Sequence, residues 1–422
     1  MSQVPFASQS SPHFSVEFPS QVAFPKSWKW FMDQKLTQWV KDHYSPRPSW
    51  KGKPFNEDDA HFFFKGIDEL SEIFTQDRGR ALQRYFEHPR FRSGYLLYFL
   101  PLQAAKFIAV FERHSAFLLK ALHAASQKGT LHVVDLGAGP LTASIAFILW
   151  IQDHLETIPE IHVTAVDSQS TILKEGALLL EALTQGFPKL RGKVRIETQV
   201  QRWQEWARHH AKSNDNADFY LLGHVLNEAR DHQAEAIAQL FEKNPRVGVL
   251  AIEPAAKNTS QSLSQLRDLL LEEFALTPVG PCPHRERCPL SSGGDWCHFS
   301  FPAEIPGGWF AKFSKGLGSE RQWLKLSYLW LADSGFVKKE ESLPSAHARL
   351  LVSDALNRPS GQKQRTSVEA LACHPDRVEK IWLKIPLQKL RGPLALRGGF
   401  ALDSAGPPKG TSRKWQASKD RR

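Results

Sequence analysis

The sequence predicts an α/β protein: a parallel sheet with helices on both faces, entered from a helical N-terminal region and followed by a cysteine-bearing module. Three observations predict it. Short apolar runs alternate with helix-length segments through the middle of the chain, a glycine turn closes the first of those runs, and all four cysteines fall late, beginning at Cys282.

With 422 residues, 41% hydrophobic and 23% charged, the chain can bury one large core or two modest ones. A wholly disordered chain is excluded. The formal charge of +10 favours a polyanionic partner, nucleic acid first, because a basic surface concentrates phosphate-bearing molecules around it. Residues 386–422 hold nine Lys or Arg against Asp403 and Asp420, which places +7 of the +10 in that stretch. No run of 18 or more apolar residues occurs, and the N-terminus has neither a signal-peptide nor a transit-peptide pattern. A monomer in a bacterial-type cytoplasm, without a membrane partner, is expected. Four cysteines in a chain of this size without a secretion signal do not read as a disulfide scaffold.

Residues 1–126 read as the helical N-terminal region. Trp28, Trp30, Trp39 and Trp50 stand among Lys26, Lys29, Lys35, Lys41, Arg47, Lys51 and Lys53. Basic residues interleaved with aromatics suit a nucleic-acid strand, and amphipathic helices docking their tryptophans on the next domain suit the same pattern. From 57 to 126 the pattern is helical, with Phe107, Ile108, Phe111, Leu118, Leu119 and Leu122 near helical spacing.

Residues 127–275 carry the alternation. Apolar runs at Leu131–Leu136, Ile161–Val166, Val194–Thr198, Asp218–Gly223 and Val247–Ile252 are separated by helical segments near 142–154, 169–185, 231–242 and 259–274. Such alternation builds a parallel sheet, and ligands bind at the carboxyl ends of its strands. Residues 276–388 form a Cys-rich module with strand-like pieces near 347–353, 366–373 and 379–385, and 389–422 read as a basic, disordered tail.

The first run enters Asp135, Leu136, Gly137, Ala138, Gly139 and Pro140, and a helix opens at Leu141 and Thr142. Gly137 and Gly139 allow a tight turn and a close approach to a ligand. A dinucleotide wants a third glycine where Thr142 stands, so NAD is disfavoured. The second run ends in Asp167, placed to accept both hydroxyls of an adenosine ribose. Together these resemble the S-adenosylmethionine site of class I, Rossmann-like methyltransferases. Trp203 follows the third run, where it can face an adenine. The fourth enters His224, Asn227 and Glu228 at the edge where a methyl acceptor would lie. His224 or Glu228 can serve as a base and Asn227 can orient an amine; Asn227 and Glu228 can equally cap the next helix. The acceptor tetrad of base-N-methylating enzymes, Asn or Asp followed by two prolines and an aromatic, is absent.

Cys282, Cys288, Cys297 and Cys373 make one four-thiol set, with gaps of five, eight and seventy-five residues. These gaps do not match the CxxC pairs usual for structural zinc, and an iron–sulfur cluster takes four thiolates at wide spacing. Both metals stay open on spacing alone, as do buried free thiols. His284 and His298 are spare ligands in the same stretch.

The combination resembles the methyltransferase-like family of small-ribosomal-subunit assembly factors. The resemblance rests on YFLP at 98–101, DLGAGP at 135–140, HVLNE at 224–228, Glu253–Pro254, the string CPH…CPL…DWCHF at 282–299, and Cys373. It implies a [4Fe–4S] cluster on Cys282, Cys288, Cys297 and Cys373, and S-adenosylmethionine-dependent action on small-subunit ribosomal RNA. The same resemblance admits a non-catalytic, RNA-binding assembly factor. Members commonly have glycine where this chain has Leu141, which either enters the helix interface or crowds the methionine end of the cofactor.

Overall fold

The structure is a computed structural model that describes residues 13–17, 21–76, 85–210, 217–226, 233–241, 248–291, 296–303, 308–319, 323–334, 349–352, 367–374, 377–384 and 400–403. A first strand, β1 (His13–Glu17), precedes a group of helices: α1 (Lys26–Trp30), α2 (Thr37–Tyr44), α3 (Glu57–Gln76), α4 (Pro89–Gly94), α5 (Leu100–Arg113) and α6 (Ser115–Ser126). Three acidic residues, Glu57, Asp58 and Asp59, open α3, where the helix dipole favours negative charge. Asp59 pairs with Lys41 of α2, both side chains only 1% exposed, and Lys41 also donates to the Pro54 carbonyl. The run Pro89–Arg113 is long and apolar enough to cross a membrane by length and composition, and most of it is buried inside the protein.

The central sheet alternates with helices: β2 (Thr130–Leu136), α7 (Thr142–His154), β3 (Glu160–Asp167), α8 (Ser170–Gln185), β4 (Val194–Val200), α9 (Trp203–His210), β5 (Phe219–Gly223), α10 (Gln233–Phe241), β6 (Gly248–Glu253), α11 (Lys257–Glu273), β7 (Leu276–Gly280), β8 (Phe299–Pro302), α12 (Gly308–Gly316) and β9 (Trp323–Asp333). The strand order is β4-β3-β2-β5-β6-β9-β7, with β8 paired to β9. Strands β4 to β6 run parallel, and β9 enters antiparallel between β6 and β7. The sheet is thus mixed rather than wholly parallel: the apolar run at 325–331 reads alone as part of the Cys-rich module, and its long-range partner β6 places it in the central sheet.

Alternate residues of each strand fill two cores. Val133, Leu221, Leu250 and Trp330 face the N-terminal helices and α7, while Val134, Leu222, Val249 and Leu331 face α9, α10 and α11. This period of two, buried on both sides, accounts for the continuous apolar runs in the sequence. Trp28 and Trp39 are buried in the first core, and Ser27 of α1 donates to the Leu149 carbonyl of α7. Trp50 is half-buried with Arg47 4.9 Å over its ring.

The remaining strands are β10 (Arg349–Leu351), β11 (Ser367–His374), β12 (Arg377–Lys384) and β13 (Phe400–Asp403). With β1 they close a five-stranded barrel in the order β1-β12-β11-β10-β13. Residues 13–17 and 400–403 therefore lie in neither a helical region nor a tail. Strands of four or five residues carry too little periodicity to be read alone, and these two pair with each other across the length of the chain.

The turn after β2 is set by a contact the sequence pattern did not reveal. Gly176 of α8 presses against Pro140: a Cβ there would lie 2.4 Å from the Pro140 carbonyl carbon and 2.6 Å from its Cα. Backbone cannot yield as a side-chain tip can. Gly176→Ala is expected to destabilise the protein by about 2 kcal/mol through overpacking, read as a lower midpoint in thermal unfolding. The exposed Leu178, two residues on, is the control; Leu178→Ala should stay within about 0.5 kcal/mol of the parent.

Candidate functional site

The connection order reverses between β2 and β5, so the crevice at their carboxyl ends is the switch point where such sheets bind ligands. Gly137 and Gly139 take φ of 69° and 51° there. Above Gly139 the space is open, since a Cβ would meet nothing within 4 Å. Gly137 differs. Its Cβ would overlap Val225 Cγ1 at 2.1 Å, with Trp203 Cδ1 3.7 Å away, so the loop after β5 and the start of α9 close that side.

Asp167, at the end of β3, accepts from the Gly139 amide at 2.8 Å and from the Gln169 amide at 2.7 Å. Burial raises its pKa and these amide bonds oppose the rise. Each carboxylate oxygen keeps a lone pair for a further donor. Asp135 is placed differently. It is buried, and its carboxylate accepts from both the amide and the hydroxyl of Ser144, pinning the first turn of α7 to β2. Burial is the larger effect and pushes Asp135 up to about 6 against those two bonds. The Thr142 hydroxyl, at the same helix start, is buried and has no hydrogen-bond partner among the described residues.

Leu141 caps α7 in the left-handed region, φ 59° and ψ 37°. Such a conformation costs a non-glycine residue about 1–2 kcal/mol. Its side chain is fully buried in the core shared with α7 and the N-terminal helices. Of the two directions open in the sequence, the leucine takes the helix interface.

At the acceptor edge, His224 also lies in the left-handed region, φ 62°, with its amide donating to the Ile252 carbonyl at 2.9 Å. Its Nε2 is enclosed and makes no hydrogen bond among the described residues. Burial, then the charge of Lys106 on α5, holds its pKa well below the usual value, so the imidazole is neutral at physiological pH. Asn227 and Glu228 lie outside the described residues. Glu253, fully buried at the end of β6, accepts from the Leu226 amide at 2.9 Å and so fixes the loop that follows His224. The sequence pattern marked Glu253 only as a strand end.

Cys282, Cys288 and Cys297 line one cavity with Arg267 and Ser264 of α11 and Tyr328 of β9. Cys373, on β11, approaches from the barrel. Its Sγ lies 3.3 Å from His284 Nε2, and His284 Nδ1 lies 3.0 Å from the Glu286 carbonyl. The Nδ1 proton therefore donates to that carbonyl, leaving Nε2 to accept from the thiol. Arg267, 2% exposed, donates from Nε to Cys282 Sγ at 3.1 Å, from Nη1 to Asp268 and from Nη2 to the His284 carbonyl. Asp268 in turn accepts from the Cys288 amide at 3.0 and 3.1 Å. The Cys297 carbonyl accepts from Ser260 and Ser327. Burial, then the neighbouring Cys282, pushes Cys288 up to about 11, and the same causes hold Cys373 well above its usual value. Among the described residues no three His, Cys, Asp or Glu side chains converge so as to hold a metal ion. The four thiols expected as a ligand set are thus gathered in one region but not drawn into a coordination shell.

The family model for mitochondrial small ribosomal subunit Rsm22 matches residues 96–308, which take in the glycine turn, Asp167 and three of the four cysteines and include neither β9 nor any strand of the barrel. A search of curated proteins found no match. Solved structures give weak likenesses. The plantazolicin methyltransferase BamL, in complex with a triazolic desmethylPZN analog and SAH, is 8% identical, covering 65% of this chain and 97% of its own, with a TM-score of 0.29. A putative class I S-adenosylmethionine-dependent methyltransferase from Listeria monocytogenes is 12% identical over 67% of this chain and 90% of its own, with a TM-score of 0.30. An O-methyltransferase family protein from Burkholderia thailandensis is 14% identical over 68% and 75%, with a TM-score of 0.31. Since the family match spans half of the sequence, the chain belongs to the Rsm22 family of the mitochondrial small ribosomal subunit.

Proposed function

We propose that this chain is an S-adenosylmethionine-binding, methyltransferase-like factor of the small ribosomal subunit that acts on its RNA, with a [4Fe–4S] cluster on Cys282, Cys288, Cys297 and Cys373. The observation that carries the cofactor part is Asp167, held by the Gly139 amide at the switch point beside open space. Asp167 would take the ribose hydroxyls, the amides of the turn would face the cofactor, and the buried Thr142 hydroxyl supplies an unused polar group at the helix start. When bound, S-adenosylmethionine supplies an electrophilic methyl group. Burial and Lys106 hold His224 well below its usual pKa, which makes it a weak base, so the proton of an acceptor amine or hydroxyl would pass to another group. The family match supports the ribosomal partner.

A second reading is favoured by Val225, which fills the space over Gly137. A turn closed on one side suits a factor that keeps the fold and binds RNA without turnover. The two readings separate experimentally. Calorimetry should show S-adenosylmethionine binding that weakens about tenfold or more in Asp167→Ala, the loss expected for charge-assisted hydrogen bonds; no binding at millimolar cofactor would sink the cofactor reading. Methyl transfer to small-subunit RNA, scored with and without cofactor, then distinguishes enzyme from binding factor.

The cluster reading is supported by the gathering of four thiols around the buried cation Arg267, which offsets thiolate charge. Anaerobically purified protein should be brown and contain about four irons per chain, and Cys288→Ser or Cys373→Ser should be colourless and melt earlier. One zinc and no iron would overturn it.

A further inference from the structure

The cyclic order of the barrel, β10-β11-β12-β1-β13, has one parallel contact, between β12 and β1, and antiparallel contacts elsewhere. This is the order of a five-stranded oligonucleotide-binding barrel in which the N-terminal strand of this chain supplies the fifth strand. In such barrels the face of the second and third strands takes the ligand; here those are β11 and β12.

The register settles which face that is. Leu371 stands opposite Lys380, Cys373 opposite Val378, and Ala370 opposite Ile381. Ala370, Ala372, Ile381 and Leu383 are buried and belong to neither core of the central sheet, which makes them the barrel interior. Leu371 and Cys373 belong to the first core and so lie on the outer face, against the body of the protein. Further along that outer face Lys380 is exposed and Trp382 half-buried, and Lys384 occupies the next alternate position of the strand. Lys380 and Trp382 at alternate positions put a cation beside an aromatic on which a base can stack, with Glu369 opposite Trp382 in the ladder.

Charge selects the ligand from among those such barrels bind. Residues 349–422 hold sixteen Lys and Arg against six Asp and Glu, an excess of ten that equals the whole +10 of the chain. The rest of the sequence is balanced. We infer that the outer face of β11 and β12, through Lys380 and Trp382, binds single-stranded RNA. The inference shares an RNA partner with the proposed function but rests on the barrel alone, and its failure leaves the cofactor reading untouched.

The test titrates the full chain into a fluorescein-labelled single-stranded RNA of about 12 nucleotides, matched to one such barrel, and into the corresponding duplex, with anisotropy read at about 50 and 200 mM salt. Single-strand binding should exceed duplex binding. Lys380→Ala, at an exposed site, should weaken it and lower the salt slope by about one. Trp382→Ala should weaken it about tenfold, and Trp382→Phe, which keeps a ring in the strand, should recover most of the loss and guards against misfolding as the cause. S-adenosylmethionine affinity should be the same in all three variants. No single-strand binding by the parent chain, a preference for duplex, or binding that neither Lys380→Ala nor Trp382→Ala alters would each overturn the inference, the last by assigning affinity to basic residues elsewhere.

Discussion

A guanidinium buried to 2% exposure is the constraint around which the second half of the molecule is arranged. Burial alone disfavours the charge of Arg267, and the Asp268 carboxylate against Nη1 and the Cys282 sulfur at Nε offset it. An uncompensated buried charge costs several kcal/mol, so the groups that compensate it must be held in place. They come from three parts of the chain: Asp268 from α11 itself, the Cys282 sulfur from the end of β7, and the His284 carbonyl from the loop beyond. His284 then reaches Cys373 on the barrel. One cation thereby organises the cysteine loop and positions the docking of β11. His114 reinforces the same corner: its ring leaves no room for a side chain at Gly280 and its Nε2 lies 3.0 Å from the Tyr328 hydroxyl. Burial, then Arg113, pulls His114 down to about 3, so its ring stays neutral beside Tyr328.

The switch-point crevice and the cysteine cavity are adjacent because of strand register. Glu253 of β6 stands opposite Ser327 of β9. Glu253 holds the Leu226 amide beyond His224, and Ser327 holds the Cys297 carbonyl. This rung is a physical connection between the two candidate sites, made of backbone pairing and two hydrogen bonds.

Elements with strong local periodicity were legible in the sequence. The five apolar runs became β2 to β6, and the turn with Asp167 lies where the pattern put it. What escaped was non-local. Strands β1 and β13 are four or five residues long and pair with each other across the chain, and β9 declares its sheet only through β6. At the site, the sequence identified Asp135 by its place in the motif, but only the fold shows its carboxylate turned to Ser144. Leu141 was ambiguous for a similar reason: a residue in the left-handed region can be recognised only from its backbone, and there the core it enters offsets the strain. Gly176 and Val225 carry no motif, since their importance is a distance to another segment.

The division of charge gives the architecture a mechanical sense. Residues 127–275, which carry most of the central sheet, hold 14 Lys and Arg against 19 Asp and Glu and do not attract a polyanion at long range, whereas residues 349–422 hold an excess equal to the whole +10. RNA drawn to the barrel would meet the body of the protein where Leu371 and Cys373 pack against it, one ladder step from Lys380. Cys373 is the residue of that strand that also touches His284. The cysteine cavity therefore sits between the charged module and the cofactor-type crevice. Leu350, Val352 and Leu371 lie in the same core as Cys373, so the barrel is joined to the body by apolar burial as well as by the thiol's contact with His284.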